Sequence, residues 1–313
     1  MRKYILQRLL QLIPVLIGIT FLSFGMMRMA GSDAITELYG DKGAVSQEII
    51  DEKKAELGLD QPFMTQYLAW LKGMLTGDMG KSYVSGLDVF GTFTSKLPAT
   101  LLLTALSLVM TVVVSIPLGI LAAVKRGRAI DYALRFISFI GNSMPGFLIA
   151  LLLMHLFSIR LKWLPVISDG LSLRSALMPA MTLAIAMSSK YMRQVRAAVL
   201  DELSKNYVTG ARARGVRGQV ILWNSVIRSS MLTIITLLSL SIGSLLGGTA
   251  IIENIFMWDG VGKMAVDAIT MRDYPLIQAY VVWMAIIYVA VNLVTDLLYH
   301  VLDPRIRLGV IRE

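Results

Sequence analysis

Asp, Glu, Lys and Arg are absent from six stretches of this chain, residues 9–27, 97–124, 136–159, 175–189, 229–252 and 274–295. A helix that crosses a bilayer needs about 20 mostly apolar residues. Four of the stretches meet that length outright. The first is a little short but strongly apolar. The fourth has 15 residues and spans if Arg174 and Lys190 extend to the two interfaces. A soluble amphipathic bundle would interrupt such runs with charge every turn or two. The pattern therefore predicts an all-α polytopic protein with six membrane-spanning helices. The first apolar run exceeds the core of a secretory signal and is expected to be a retained helix.

Between the runs, the polar pattern divides the chain into an N-terminal span (1–30), a segment outside the bilayer (31–96), a five-span body (97–301) and a tail (302–313). Helices are expected over 47–57 and 59–75, the second with Asp60 and Pro62 as start signals. Residues 189–228 form the longest loop of the body. Within them the 192–203 segment is helical in pattern, with Val195, Val199 and Leu203 on one face and Arg193 and Arg196 on another. Ser204-Lys205-Asn206 reads as a break, and 207–214 as a short alanine-rich helix closed by Gly215.

Composition agrees with a membrane protein. Hydrophobic residues make up 56% of the 313 and charged residues 16%, against roughly 45–50% and 25% in soluble domains. With no cysteine and two histidines, disulfides, thiol nucleophiles, iron–sulfur clusters and cysteine-bound zinc are excluded. The net charge of +9 is compatible with nucleic acid or with a membrane, and its distribution decides. Eighteen of the 30 basic residues fall at the N-terminus, the C-terminus or in the 125–135 and 190–228 loops, whereas 31–96 holds ten acids against six lysines. By the positive-inside rule both termini are cytoplasmic and 31–96 is an external cap. The charge marks bilayer asymmetry, and no nucleic acid is expected as a partner.

Some motifs mislead. Gly80-Lys81-Ser82 has the end of a phosphate-binding loop, but Leu75 stands where that pattern needs glycine, and the segment is external. No cluster of His, Asp, Glu or Ser/Lys at one depth suggests an intramembrane enzyme. No inverted repeat supports a secondary transporter working alone.

Tyr207-Val-Thr-Gly-Ala211-Arg212-Ala213-Arg214-Gly215 resembles the cytoplasmic coupling motif of ABC importer permeases, in the peptide and nickel branch. Leu57-Gly-Leu-Asp-Gln-Pro62, Gly77-Asp-Met-Gly80 with Ser82, Ser143-Met144-Pro145, Ile252-Glu253-Asn254-Ile-Phe-Met-Trp258, Gly260-Val-Gly262, Arg272-Asp-Tyr-Pro275 and Leu302-Asp-Pro-Arg-Ile-Arg307 are similar to that branch in the same order. The chain departs from the family at Asp259, where Trp-Pro-Gly is usual, at Thr233 and at Gly210. The resemblance implies a MetI-like, type I permease fold. It also implies pairing with a second homologous permease, two cytoplasmic ATPase subunits that hold ATP and Mg, and an extracytoplasmic binding protein. This chain then has no catalytic site and no cofactor of its own. Tyr207, Val208, Ala211, Arg212, Ala213, Arg214 and Gly215 are its coupling residues. A bilayer domain without an ATP site must receive energy through such a cytoplasmic contact, and the contact must differ between two states.

Residues for a pathway or gate are sought at Ser143, Met144 and Pro145, which either break the third span or merely kink it, and at Glu253 and Asn254. His155 is a possible nickel or zinc contact, although a lone histidine on an apolar helix more often serves packing. No firm metal site follows. Asp296, inside the last span, is expected to be a structurally paired acid. The short 160–174 connection favours nickel or a nickel chelate as cargo, with di- or oligopeptides as the alternative.

Overall fold

The computed structural model describes residues 2–29, 47–56, 58–168 and 170–302. The expectations placed on 31–46 of the cap and on the 303–313 tail lie outside the described residues. Twelve helices follow in order among them: α1 (Arg2–Met29), α2 (Gln47–Glu56), α3 (Phe63–Thr76), α4 (Val89–Val124), α5 (Ala129–Ser143), α6 (Gly146–Leu153), α7 (Leu173–Leu203), α8 (Asn206–Ala213), α9 (Gly218–Ile221), α10 (Arg228–Ile255), α11 (Val261–Thr270) and α12 (Tyr274–Leu302). α6 and α9 continue as wider π-helical turns over Met154–Arg160 and Leu222–Ile227. The β-structure among the described residues is one isolated bridge, Lys81 with Asp88.

Three helical stretches are long and apolar enough to cross a membrane: Val89–Val124, Gly218–Leu238 and Tyr274–Thr295. A fourth is a bent pair, Ala129–Ser143 with Gly146–Arg160, at 103° to each other. In α1 the shorter apolar stretch is Ile13–Met29. The sequence left one element open between a break and a kink, and two others differ from its reading. The third apolar run is broken at Ser143–Pro145: Met144 is extended, and Pro145 caps α6, because proline has no N–H to give and forces its predecessor out of the helical region. The stretches 175–189 and 192–203 are one helix, α7, which Ser172 caps through the Ser175 N–H. The helix expected from residue 59 starts at Phe63, after a turn through Gly58.

The chain forms two compact units. The first comprises 1–100 and 259–289. In it α1 packs on α3 through aromatic edges: Phe24 lies 5.3 Å from Phe63 and 5.6 Å from Tyr67, whose hydroxyl shares a 3.0 Å hydrogen bond with Thr20. A second core joins Met79, Val89 and Phe93 to Val261, Met264, Ala268, Leu276 and Ala279. Trp283 stacks on Phe93, and its indole N–H donates to the Met79 sulfur at 3.2 Å.

The second unit comprises 101–258 and 290–313. α7 is its axis. Gly141 of α5 comes so close to α7 that a Cβ there would sit 2.1 Å from Ser189 Oγ, and Ser138 Oγ donates to the Ser189 carbonyl. In a bilayer, helices associate through such small-residue contact. At the start of α5, Asp131 is buried and accepts two parallel bonds from the Arg196 guanidinium, at 2.8 and 2.9 Å. Tyr191 donates to the Leu237 carbonyl at 2.9 Å, tying α7 to α10.

Candidate functional site

α8 has eight residues, and a helix that short is marginal in isolation. Three devices hold it. Val208 is completely buried among Ala123, Val195, Val199, Ile221, Val226 and Ile234, so one side chain plugs the helix into the apolar core. Glu202, at the end of α7, pairs with Lys205 and accepts from the Tyr207 hydroxyl at 3.0 Å, which fixes the turn into α8. At the far end Gly215 has φ +79°. Its N–H reaches the Arg212 carbonyl at 2.9 Å, and the Val216 N–H reaches Ala211 at 3.2 Å. This 5→2 and 6→1 pair is the Schellman closure, whose left-handed position suits glycine. Partial burial, with the Glu202 carboxylate beside it, holds the Tyr207 phenol above its ordinary pKa.

The sequence-predicted coupling residues thus divide by role. Val208 is the anchor, and Ala211 is half-buried against the same core. Gly215 ends the helix. Tyr207, Arg212, Ala213 and Arg214 face outward, joined by Val216, Arg217 and Trp223, the last 63% exposed. This surface carries three arginines, and the acids beside it, Asp201 and Glu202, lie next to Lys205. It can dock a complementary surface, and it holds no constellation for bond-breaking chemistry. Trp223 and Glu202 were missed from sequence. Trp223 signals itself as a lone aromatic beside a basic loop. Glu202 has no signal, because the break at Ser204 changes the register between it and Tyr207.

The other candidates are only partly brought together. Ser143 and Pro145 are exposed at the α5–α6 break. Gly146, next along, would place a Cβ 3.7 Å from Ile252, so the break lies beside the residue that precedes Glu253. Glu253 is fully buried, while Asn254 is exposed. His155 is exposed on the π-helical turns that follow α6, and among the described residues no group of three or more potential metal ligands forms. The Asp296 side chain lies outside the described residues.

Two conserved-looking strings meet instead in the first unit. Asp273 is buried and accepts from Ser82 Oγ and, at 3.1 Å, from the Tyr83 N–H. Lys81 lies in the bridge with Asp88. Gly80-Lys81-Ser82 is therefore a structural loop, as its missing glycine indicated.

The chain matches the family model described as binding-protein-dependent transport system inner membrane component over residues 115–308, and the N-terminal model of such membrane components over 1–104. It is similar to the oligopeptide transport system permease protein AppB of Bacillus subtilis (strain 168), at 37% identity over 98% of this chain and 99% of that protein. The glutathione transport system permease protein GsiC of Escherichia coli (strain K12) is 35% identical over 98% and 99%. Among solved structures, an inward-facing form of the MetNI methionine ABC transporter superposes with TM-score 0.58 at 16% identity, over 68% of this chain and 96% of that one. That likeness shows the fold, a MetI-like permease. The names of these relatives speak for peptides and glutathione and give nickel no support. In the short 160–174 connection the Trp163 N–H donates to the Phe157 carbonyl at 2.8 Å and the Arg174 guanidinium to the Trp163 carbonyl at 2.9 Å.

Proposed function

The chain belongs to the family of binding-protein-dependent transport inner membrane components, the permeases of ABC importers, and on that footing we propose that it is one of two permease subunits of a peptide importer. Short peptides, glutathione among them, are its cargo. A second homologous permease completes the pathway, two cytoplasmic ATPases supply the energy with their own ATP and Mg, and an extracytoplasmic binding protein delivers the substrate. In this reading the chain has six spans with both termini in the cytoplasm, of which three, or four with the bent pair, are long apolar helical stretches in the structure, and 204–217 faces the ATPases.

The observation that carries the reading is the construction of α8. A buried Val208 and the Glu202 clamp make it rigid, so a push on its outward arginines moves α7 and the core around Val195 and Val199 as one body. A flexible loop would absorb the same push. The break at Ser143–Pro145, the adjacent Ile252 and the buried Glu253 are the pathway elements on which that motion acts. Backbone freed by a broken helix is tolerated at membrane depth where it faces protein or a water-filled cavity.

The test is ATPase stimulation in proteoliposomes holding this chain, its partner permease and the ATPases. Binding protein loaded with di- or oligopeptide or with glutathione should stimulate hydrolysis several-fold, and a nickel chelate should not. Stimulation by the nickel chelate alone would overturn the peptide reading. Arg214→Glu should abolish stimulation while leaving the thermal stability of the chain unchanged. Full coupling in that variant would overturn the role of α8.

A further inference from the structure

A cavity of about 480 Å³ lies in the first unit, and another of about 460 Å³ in the second, between α5 and α7. The second has the simpler chemistry. Tyr132, Arg135, Phe136, Phe139, Arg193 and Arg196 line it. Arg196 is committed to Asp131 by its two parallel bonds. Asp131 is thereby bound first to Arg196 and acts more weakly on Arg135, four residues along, and neither Arg135 nor Arg193 forms an ion pair within contact distance among the described residues. Both are exposed, and Arg135 lies over the Tyr132 ring at 5.8 Å. Arg126 and Arg128, also exposed, precede α5. The cavity therefore offers two exposed guanidinium groups without a contact ion pair and a third held by Asp131, a buried carboxylate whose charge does not balance all three.

Its other three walls are aromatic and stand outward: Tyr132, Phe136 and Phe139 are each at least 60% exposed. α5 is two-faced. Asp131, Ser138 and Gly141 are buried on one side, and the aromatics, Ile137 and Ile140 are exposed on the other. The 103° bend to the Gly146–Arg160 segment prevents both pieces from following the bilayer normal. The uniformly apolar α6 suits the acyl layer. The first half of α5, with Arg135 beside Tyr132 and Phe136, suits the headgroup layer, and its second half leads into the acyl layer. A soluble phosphate compound would match the arginines and leave the rings in water. A phospholipid satisfies both, with its phosphate on the guanidinium groups and its chains over Phe136 and Phe139.

We propose that the α5–α7 cavity binds the phosphate headgroup of an anionic phospholipid, with Arg135 and Arg193 as its ligands. Basic pockets between membrane helices take anionic headgroups by this chemistry, and guanidinium groups suit phosphate oxygens geometrically. The bound lipid would brace the broken α5–α6 element against α7, the helix that continues towards α8. The inference is independent of the cargo and of the ATPase contact.

The experiment is lipid retention by the full chain, purified in detergent and titrated with phosphatidylglycerol, cardiolipin or phosphatidylcholine, read by native mass spectrometry. Wild type should retain the two anionic lipids about tenfold better than phosphatidylcholine. Arg135→Gln with Arg193→Gln should erase that preference. The Arg135→Lys and Arg193→Lys pair, which keeps the charge, should preserve most of it. Both arginines are exposed and outside any contact ion pair, so in detergent without added lipid neither double variant should shift the melting temperature, whereas added phosphatidylglycerol should raise that of wild type and not that of the glutamine variant. Equal retention of charged and zwitterionic lipids by wild type, or an unchanged preference in the glutamine variant, would overturn the proposal. So would displacement of the lipid by millimolar inorganic phosphate or ATP, which would mark a site for a soluble anion. Loss of the second permease from the glutamine variant, with lipid preference intact, would make this face a pairing surface and overturn it as well.

Discussion

The 77–88 loop of the first unit and the 204–217 segment of the second solve one problem in opposite ways. Each must fix a short stretch of chain between long helices. The first is held by a buried carboxylate, Asp273, whose oxygens accept from Ser82 and Tyr83. The second is held by an apolar plug, Val208, in a core of valines and isoleucines. A carboxylate latch uses its polar groups on itself and leaves little to offer a partner. An apolar plug leaves the arginines of the segment free, and Arg212 and Arg214 stand outward as a result, while Tyr207 and Lys205 are engaged by Glu202. The contrast teaches what hydrophobic burial does for an outward-facing segment: Val208 fixes it without drawing on the hydrogen-bonding capacity of its arginines.

That contrast is open to direct attack. The largest effect is expected from Asp273→Ala, which strands a buried hydroxyl and a backbone N–H. Hydrogen bonds to a charged group are worth roughly 1.5–3 kcal/mol each, so a loss of about 3 kcal/mol should appear as a lower unfolding midpoint in detergent, with faster proteolysis at 77–88. Asp273→Asn keeps an acceptor and should recover at least half. If alanine is tolerated without a shift, the latch is not what orders the loop.

Val208→Ala is next. Removing its two methyl groups from a filled core should cost about 2 kcal/mol and reduce peptide-stimulated ATPase activity as well, whereas Asp273→Ala should spare coupling in whatever fraction remains folded. An equal effect of both on coupling would erase the distinction between latch and plug. Ala211→Glu would not separate contact from anchor, because Ala211 is half-buried against the Val208 core and the change would disturb both together.

Gly215→Ala forces a Cβ into left-handed backbone and should cost roughly 1 kcal/mol. Gly215→Pro should do more, since proline cannot reach φ +79° and removes the N–H that closes the helix. Coupling that survives both would mean that the helix end does not need this closure. Lys96→Ala should have the smallest effect. It breaks the ion pair with Asp259, which is 75% exposed, and exposed pairs are worth at most about 1 kcal/mol. A melting shift as large as that of Val208→Ala would show that surface charge, rather than burial, orders this part of the chain.

Long-range order marks the limit of what could be read from residues in a row. Val195 and Val199, four apart, share a buried face as their spacing predicted, and Gly215 ends its helix as glycine at that place should. Asp131 and Arg196 are 65 positions apart, and no local pattern joins them. A lone acid between Asp88 and Asp169 was the available hint. The proline in Ser143-Met144-Pro145 left a kink and a break equally open, because the choice depends on whether neighbouring elements accept the freed backbone groups.

The sequence by itself determined that this is a helical membrane protein and that a short helix closed by Gly215 follows the break at 204–206, because both rest on local quantities: runs without charge and a turn that requires glycine. Tertiary structure alone decided the roles inside that segment and in the cap. Val208 became an anchor while its neighbour Tyr207 became surface, and Ser82 met Asp273. Burial and pairing are properties of what the chain brings together, and residues far apart in sequence acquire them only when the packed helices place them side by side.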